Sequence, residues 1–191
     1  MQKVSLHLTL LAAFCLLPAG CATRQHRTSN EPLKPREMSA HDEAQTKFGI
    51  FLAADSQLDL RSGMIDLAHV QLAFPPLISA DDIISYDFST HVMKLRPKAL
   101  ARIPHPPVRG LPFMVVANGQ RIYLGAFWTE LSSMSSSVPT IAVNKASLAK
   151  SQSADIQIID RGYPTDSFGK GRDPRSDPRI KEALTELHKL K

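Results

Sequence analysis

The sequence contains very little cysteine, and this scarcity limits how the folded chain can be stabilised. Only Cys15 and Cys21 occur among its 191 residues. Cys15 lies inside a predicted export signal and Cys21 at its end, so no pair remains to form a disulfide in the exported chain. The fold must therefore depend on a hydrophobic core. A composition that is 43% hydrophobic is ordinary for a globular domain.

The sequence also lacks the local motifs of several enzyme classes. There is no G-x-S-x-G nucleophile elbow, no H-E-x-x-H zinc motif and no dinucleotide fingerprint. Residues 169–172 combine glycines with cations, but they have neither the spacing nor the strand-helix context of a phosphate loop. A loose group formed by Asp81, Asp82, Asp87 and His91 is better explained by caps and turns than by a metal site. No cofactor and no metal are predicted.

The first 20 residues predict an export signal. Lys3 is its only charge, and its apolar core over residues 4–17 is too short for a membrane span, which needs about 20 residues. The core ends in Leu-Pro-Ala-Gly-Cys at residues 17–21, which resembles the lipobox of bacterial lipoproteins. In that family a small residue precedes a cysteine that is acylated and becomes the mature N-terminus. The resemblance implies lipidation of Cys21 and a membrane anchor.

Two features around the lipobox bear on this assignment. Pro18 stands where the family usually has leucine, and an ordinary secretory signal cut after Ala22, with Gly20 and Ala22 as its small residues, is the alternative. Polar sequence starts directly after Cys21, which favours the lipoprotein. Ala22 follows the cysteine, and in this respect the sequence resembles lipoproteins that are sent to an outer membrane. The predicted location is therefore a cell or outer membrane, on its periplasmic or outer face.

Composition divides the chain into four regions. Residues 1–20 form the signal, and residues 21–46, which carry charges of both signs and almost no large apolar side chains, are predicted to be a disordered tether. Residues 47–160 are predicted to form a globular domain. Residues 161–191 form a C-terminal arm whose last segment is a helix that packs on the domain.

The globular domain is predicted to be organised around a hairpin. Asn118-Gly119 separates two apolar runs within residues 113–128, and this pair favours a type I′ turn because both central residues must take positive φ. A regular hairpin places Ala117 opposite Gln120, Val115 opposite Ile122 and Phe113 opposite Leu124. One face then carries Phe113, Val115, Ile122, Leu124, Ala126 and Trp128, and the other carries Met114, Val116, Arg121 and Tyr123.

The rest of the domain predicts five or six strands and two or three short helices. Strands and helices do not alternate regularly, so the fold class is α+β, a single domain with a mainly antiparallel sheet. The C-terminal helix is amphipathic. Asp177 caps it, Pro178 occupies its first position, and its apolar stripe contains Ile180, Ala183, Leu184, Leu187 and Leu190.

A doubled Asp-Pro-Arg sequence at residues 173–179 is the most distinctive charged feature. Lys170, Arg172, Arg175 and Arg179 gather near a helix N-terminus, which favours negative charge and predicts a site for lipid headgroups, wall polymers or a partner's carboxylates. The structural alternative, in which Asp173 and Asp177 pair with the arginines and fix two proline turns, is favoured because the interspersed acids reduce the field of the cations.

Arg121 and Tyr123 suggest a second binding surface. On the polar face of the predicted hairpin they would form an exposed platform suited to sugar stacking or peptide contact. In the alternative, the C-terminal helix covers this face.

A second resemblance spans most of the domain and arm. Four segments are together similar to a group of uncharacterised bacterial exported proteins. They are Ile84-Ser85-Tyr86-Asp87, Thr90-His91, the segment from Pro112 to Trp128 and Asp173-Pro174-Arg175. The group implies no activity, ligand or catalytic residue.

The sequence therefore predicts a lipid-anchored binding or accessory protein of the bacterial envelope. Its expected partners are the membrane, through the anchor, and an envelope protein or anionic polymer. Nucleic acid is not expected in this compartment despite the basic composition. The alternative is a small hydrolase that uses Ser132 and Ser133 with His91 or His105, and it requires these side chains to converge within hydrogen-bonding distance.

Overall fold

A computed structural model describes residues 35–143 and 156–191, and over these ranges the chain is mainly β-sheet with three short α-helices. The predicted signal, the lipobox with Cys21 and the first part of the tether lie outside the described residues. The predicted α+β class with a mainly antiparallel sheet is confirmed within these ranges.

The elements are numbered in chain order. The helices are α1 (Ala40–Gln45), α2 (Pro97–Arg102) and α3 (Pro178–Glu186). The strands are β1 (Arg36–Glu37), β2 (Phe48–Leu52), β3 (Ala73–Phe74), β4 (Ile78–Ser79), β5 (Ile83–Asp87), β6 (Val92–Leu95), β7 (Leu111–Ala117), β8 (Gln120–Trp128), β9 (Thr140–Ala142) and β10 (Ile156–Asp160).

Eight of these strands form one curled sheet. Its order is β4-β2-β7-β8-β9-β10-β6-β5, and every neighbouring pair is antiparallel except β8 and β9. The edge strands β4 and β5 are joined by residues 80–82 alone. A link of this length spans at most roughly 14 Å, so the two edges must approach each other and the sheet curls towards a barrel.

The strands β7 and β8 meet at Asn118-Gly119, whose φ angles are 49° and 69°. Ala117 lies opposite Gln120 as predicted and Val116 lies opposite Arg121, but the predicted register is wrong from Val115 onward. Ile122 is an extra residue in β8, so Val115 faces Tyr123 and Phe113 faces Gly125. A bulge of this kind breaks the two-residue alternation, and every side chain beyond it changes face.

Because of this bulge, the side-chain faces predicted for β8 are also wrong beyond Ile122. The first core lies on the concave side and takes a buried side chain from each of the eight strands. It includes Phe113, Val115, Ile122, Tyr123 and Phe127. The second core covers the other face of β2, β7 and β8, and it includes Met114, Val116, Leu124, Ala126 and Trp128.

The predicted disordered tether is wrong over its last part. β1 pairs with β3, and α1 begins at a capping box in which Ser39 and Asp42 satisfy each other's backbone N–H groups. Met38 N–H donates to the Leu72 carbonyl at 2.7 Å. These residues belong to the folded body because they close over the second core.

The C-terminal arm packs against the same body. Asp177 caps α3 by accepting the Arg179 N–H at 2.9 Å, and the helix buries Ile180, Ala183 and Leu184 in the first core. After the helix, the chain forms a bridge along the β5 edge, where Tyr86 N–H donates to the Lys189 carbonyl at 2.7 Å. The bridge covers an edge that would otherwise expose unpaired backbone groups.

Candidate functional site

The two Asp-Pro-Arg turns fold in the same way. Asp173 Oδ1 accepts both the backbone N–H and the Nε–H of Arg175 at 3.0 Å, and Arg175 Nη2 lies 2.8 Å from Oδ2. Asp177 and Arg179 repeat this arrangement with distances of 2.9, 2.9 and 2.8 Å. Each aspartate thereby neutralises the arginine two residues later. Arg175 and Arg179 are structural residues here, as in the structural alternative.

Arg175 also fixes the arm to the sheet. Its side chain is almost fully buried, its Nη1 donates to the Ile159 carbonyl at 2.6 Å, and its Nη2 lies 3.3 Å from Asp166 Oδ2. Burial opposes ionisation of Asp173, but the hydrogen bonds from Arg175 keep the pKa of its carboxyl below the ordinary value.

Lys170 and Arg172, the other two predicted anion ligands, line a single cavity. This arm cavity has a volume of about 310 Å³ and lies between β8, residues 63–67 and the C-terminal arm. Arg161, which directly follows β10, is the third cation of its lining. Ile122, Leu124 and Val138 supply apolar surface beside them.

The charge of the arm cavity is unbalanced. Its described lining contains three cations and no carboxylate. Arg172 is exposed and, among the described residues, makes neither a hydrogen bond nor an ion pair, although its charge acts on nearby Asp177. Arg161 donates through Nη2 to the Gly171 carbonyl, while its buried Nε finds no partner among the described residues. Unpaired guanidinium donors favour a bound anion because charge-assisted hydrogen bonds are the strong ones.

Lys170 has a different role on the same rim. Its Nζ donates to the Arg61 carbonyl at 3.1 Å, and Ser137 Oγ donates to the same carbonyl at 2.8 Å. An ammonium group carries three N–H donors, so Lys170 can hold the turn and also contact a ligand.

Arg121 and Tyr123 form no exposed platform, and the cover is not the C-terminal helix of the alternative. Arg121 forms a bidentate pair with Glu43, and its Nη1 also donates to the carbonyls of Leu67, Ala68 and Val70. Tyr123 is 5% exposed, and burial raises the pKa of its phenol well above the ordinary value. Residues 67–70 and α1 cover Arg121, whereas the bulge turns Tyr123 into the first core.

The residues of the predicted hydrolase do not converge. Ser132 Oγ donates to the Val108 carbonyl and accepts the Met134 N–H at 3.1 Å. His91 Nδ1 instead lies 3.1 Å from the Tyr86 hydroxyl. His105 and Ser133 are exposed, and no hydrogen bond joins either histidine to either serine in the described ranges.

His91 belongs to a buried polar cluster that the sequence did not indicate. Its Nε2 lies 4.0 Å from Asp173 Oδ2, and its backbone has a φ of 56°. Burial lowers the pKa of His91 and nearby Arg175 lowers it further, while Asp173 opposes the shift. Burial also raises the pKa of Tyr86 above its ordinary value. The cluster joins β5, β6 and the arm, and its polar groups interact with one another.

The other features of the described residues give weaker evidence for a functional site. A cavity of about 410 Å³ beside α1 has a mixed lining in which Asp42 is paired with Arg36, and Lys47 with Glu186. The described residues contain no group of three or more side chains suited to a metal ion, and Asp82 caps the turn at Ser79. None of the described helices combines the length and apolar character needed to cross a bilayer.

Comparison with protein-family models, curated proteins and solved structures found no significant match. The candidate site therefore depends on its own geometry. The sequence predicts Lys170 and Arg172 as anion ligands but does not indicate Arg161, because an arginine after a strand carries no motif and only the fold brings it to the arm.

Proposed function

We propose that this chain is a lipid-anchored, extracytoplasmic binding or accessory protein of the bacterial envelope, and that its arm cavity binds an anionic group of its partner. The signal-like first 20 residues and the lipobox ending at Cys21 support the anchor and the location. The observation that carries the binding role is the set Arg161, Lys170 and Arg172 around one cavity without a described carboxylate.

Binding is favoured over hydrolysis by the placement of the side chains. A serine hydrolase needs a base within hydrogen-bonding distance of its nucleophile, and Ser132 and His91 are each bonded elsewhere. The arm cavity instead offers cations without a partnered nucleophile, an arrangement suited to retaining an anion rather than cleaving a bond.

We also propose that the Asn118-Gly119 hairpin is the organising centre of the domain, with the amphipathic C-terminal helix packed beside it. The two strands of the hairpin are third and fourth in the eight-stranded order and contribute to both cores. Because a hairpin closes by local contacts, it can form before the distant strands pair.

The anchor is tested by growing cells with a clickable fatty acid and comparing the wild type with Cys21→Ser. Loss of label and of membrane recovery in the variant supports the anchor. An unlabelled wild-type protein recovered in a soluble fraction would instead support a secreted, freely diffusing form and would remove the lipid anchor.

The anion site is tested by titrating pyrophosphate into the full-length chain carrying Cys21→Ser, which has no acylation site. Arg172→Ala should weaken binding by about tenfold, the effect expected of one lost charge-assisted hydrogen bond. Lys98→Ala makes the same charge change on α2, away from the cavity, and should leave the affinity almost unchanged. Equal effects of the two variants would show that only overall charge attracts the anion.

A further inference from the structure

A second cavity adjoins the arm cavity. This tryptophan cavity has a volume of about 300 Å³ and includes Trp128, Arg61 and Arg109 in its lining. Asp59 is the one carboxylate among its described lining residues. It thus adds two cations and one anion beside a site that already carries three cations.

Trp128, which lines the tryptophan cavity, carries an unpartnered donor. Trp128 is 1% exposed, and its buried Nε1–H has no hydrogen-bond partner among the described residues. Buried indole N–H groups usually find an acceptor, since a buried donor left unpaired destabilises the fold. An oxygen atom of a ligand in this cavity would supply the missing acceptor.

The two cavities share one wall. Leu60 and Arg61 line the tryptophan cavity, and Gly63, at the end of the same turn, lines the arm cavity. Ser137 and Lys170, both in the arm cavity, hydrogen-bond to the Arg61 carbonyl. A single turn of backbone therefore separates the two groups of cations.

The charges over both cavities favour an extended anion. Five cations face one carboxylate, and Asp59 Oδ1 already accepts the Arg61 N–H at 3.0 Å. That hydrogen bond is the main reason why the pKa of Asp59 lies below its ordinary value, so the carboxylate stays ionised and serves the turn. Asp166 lines neither cavity, and it accepts the Arg161 backbone N–H and pairs with Arg175.

From this juxtaposition we infer that the two cavities are adjacent subsites for a linear polyanion, a chain of regularly spaced phosphate or carboxylate groups. One anionic group binds Arg161, Lys170 and Arg172, and a neighbouring group binds Arg61 and Arg109, with the Trp128 N–H available to one of its oxygens. This inference rests on the proposed anion-binding function and names the class of polymer that it serves. Each cavity is small, so a long chain must cross both rather than fold into one.

The test compares anion chains of increasing length on the full-length chain carrying Cys21→Ser. Pyrophosphate can fill one subsite, whereas a polyphosphate of about ten groups can fill both. Joining two binding events on one molecule raises affinity by up to about 10²–10⁴-fold. After correction for the number of positions at which the longer chain can bind, we expect it to bind at least about tenfold more tightly.

Two single variants separate the subsites. Arg109→Ala should weaken polyphosphate binding by about tenfold and leave pyrophosphate binding unchanged, because the short anion prefers the more positive arm cavity. Arg172→Ala should weaken both. Lys98→Ala is the matched control, and polyglutamate replaces polyphosphate in a parallel titration to distinguish carboxylate from phosphate chains.

Several results would overturn the inference. If polyphosphate shows no length effect, or if Arg109→Ala leaves its affinity unchanged, the arm cavity is a single site and only the proposed function survives. If Lys98→Ala weakens polyphosphate binding as much as Arg109→Ala does, the attraction is general. If neither pyrophosphate nor either polymer binds, the inference and the proposed anion site both fail.

Discussion

Arg121 Nε lies 2.9 Å from Glu43 Oε1, and Arg121 Nη2 lies 3.0 Å from Glu43 Oε2. This bidentate pair joins α1 to the central hairpin across 78 residues of chain. The same guanidinium donates to carbonyls of residues 67–70. One side chain thus fixes both the segment that enters the domain and the loop that covers the second core.

Arg121→Ala should lower the free energy of unfolding by about 2–3 kcal/mol, because it leaves the Glu43 carboxylate and several carbonyls without their donor. Arg121→Lys should recover little of this loss, since an ammonium group cannot reproduce the forked geometry. Urea denaturation measures both variants. Arg36→Ala is the comparison and should cost less, because the Arg36 side chain in its pair with Asp42 is 52% exposed, against 19% for Arg121. If the lysine variant were as stable as the wild type, the forked geometry of the guanidinium would not be what stabilises this contact.

The two Asp-Pro-Arg turns offer a matched comparison of burial. Arg175 is buried, whereas the side chain of Arg179 is 40% exposed. Arg175→Ala should destabilise the fold by about 3 kcal/mol, because it leaves Asp173 partly buried without its counter-charge. Arg179→Ala should cost less than about 1 kcal/mol. Thermal or urea unfolding measures both, and similar losses in the two variants would show that burial of the pair does not determine its importance.

His91 should make the fold less stable in mild acid. Its folded pKa lies below the ordinary value near 6.5, so as pH falls through that value the unfolded chain takes up a proton that the folded chain does not. The free energy of unfolding therefore decreases from pH 6.5 down to the folded pKa. Six groups face the His91 ring or act on its charge: Tyr86, Phe88, Asp87, Asp166, Asp173 and Arg175.

His91→Asn tests this expectation because asparagine tolerates the positive φ and does not titrate in this range. The variant should show a flatter dependence of stability on pH between 5 and about 7, measured by urea denaturation at several pH values. Below pH 4 both proteins should lose stability, because Asp173 and Asp177 have lowered pKa values and lose their ion pairs when protonated. Parallel curves over the whole range would exclude His91 as the source of the first step.

Gly119 tests the proposed central role of the hairpin. Its φ is 69°, and a Cβ there would lie 3.0 Å from the Ala44 carbonyl oxygen, so Gly119→Ala should cost about 1–2 kcal/mol. Gly171→Ala is the control, because φ is 66° but no heavy atom lies within 4 Å of its Cβ position. If the hairpin forms early, Gly119→Ala should mainly slow folding in stopped-flow measurements. A change confined to the unfolding rate would contradict this role.

Local patterns in the sequence determined the secondary structure of several segments. The apolar residues of segment 92–95 form β6, and Pro97 stands at the first position of α2. Asp177 and Pro178 begin α3 as their types favour. These signals work because caps, prolines and apolar alternation act within a few residues of the chain.

Only the tertiary structure decided the features that depend on distant contacts. A single bulge at Ile122 exchanged the two faces of β8 and buried Tyr123. No residue type predicts such an insertion. The charged residues 36–45 have the composition of a tether, yet they fold because Arg121 and the second core supply partners far along the chain. Arg161, Lys170 and Arg172 meet because the arm folds back over the sheet. The sequence specifies which charges exist, and the fold determines which of them remain unpaired.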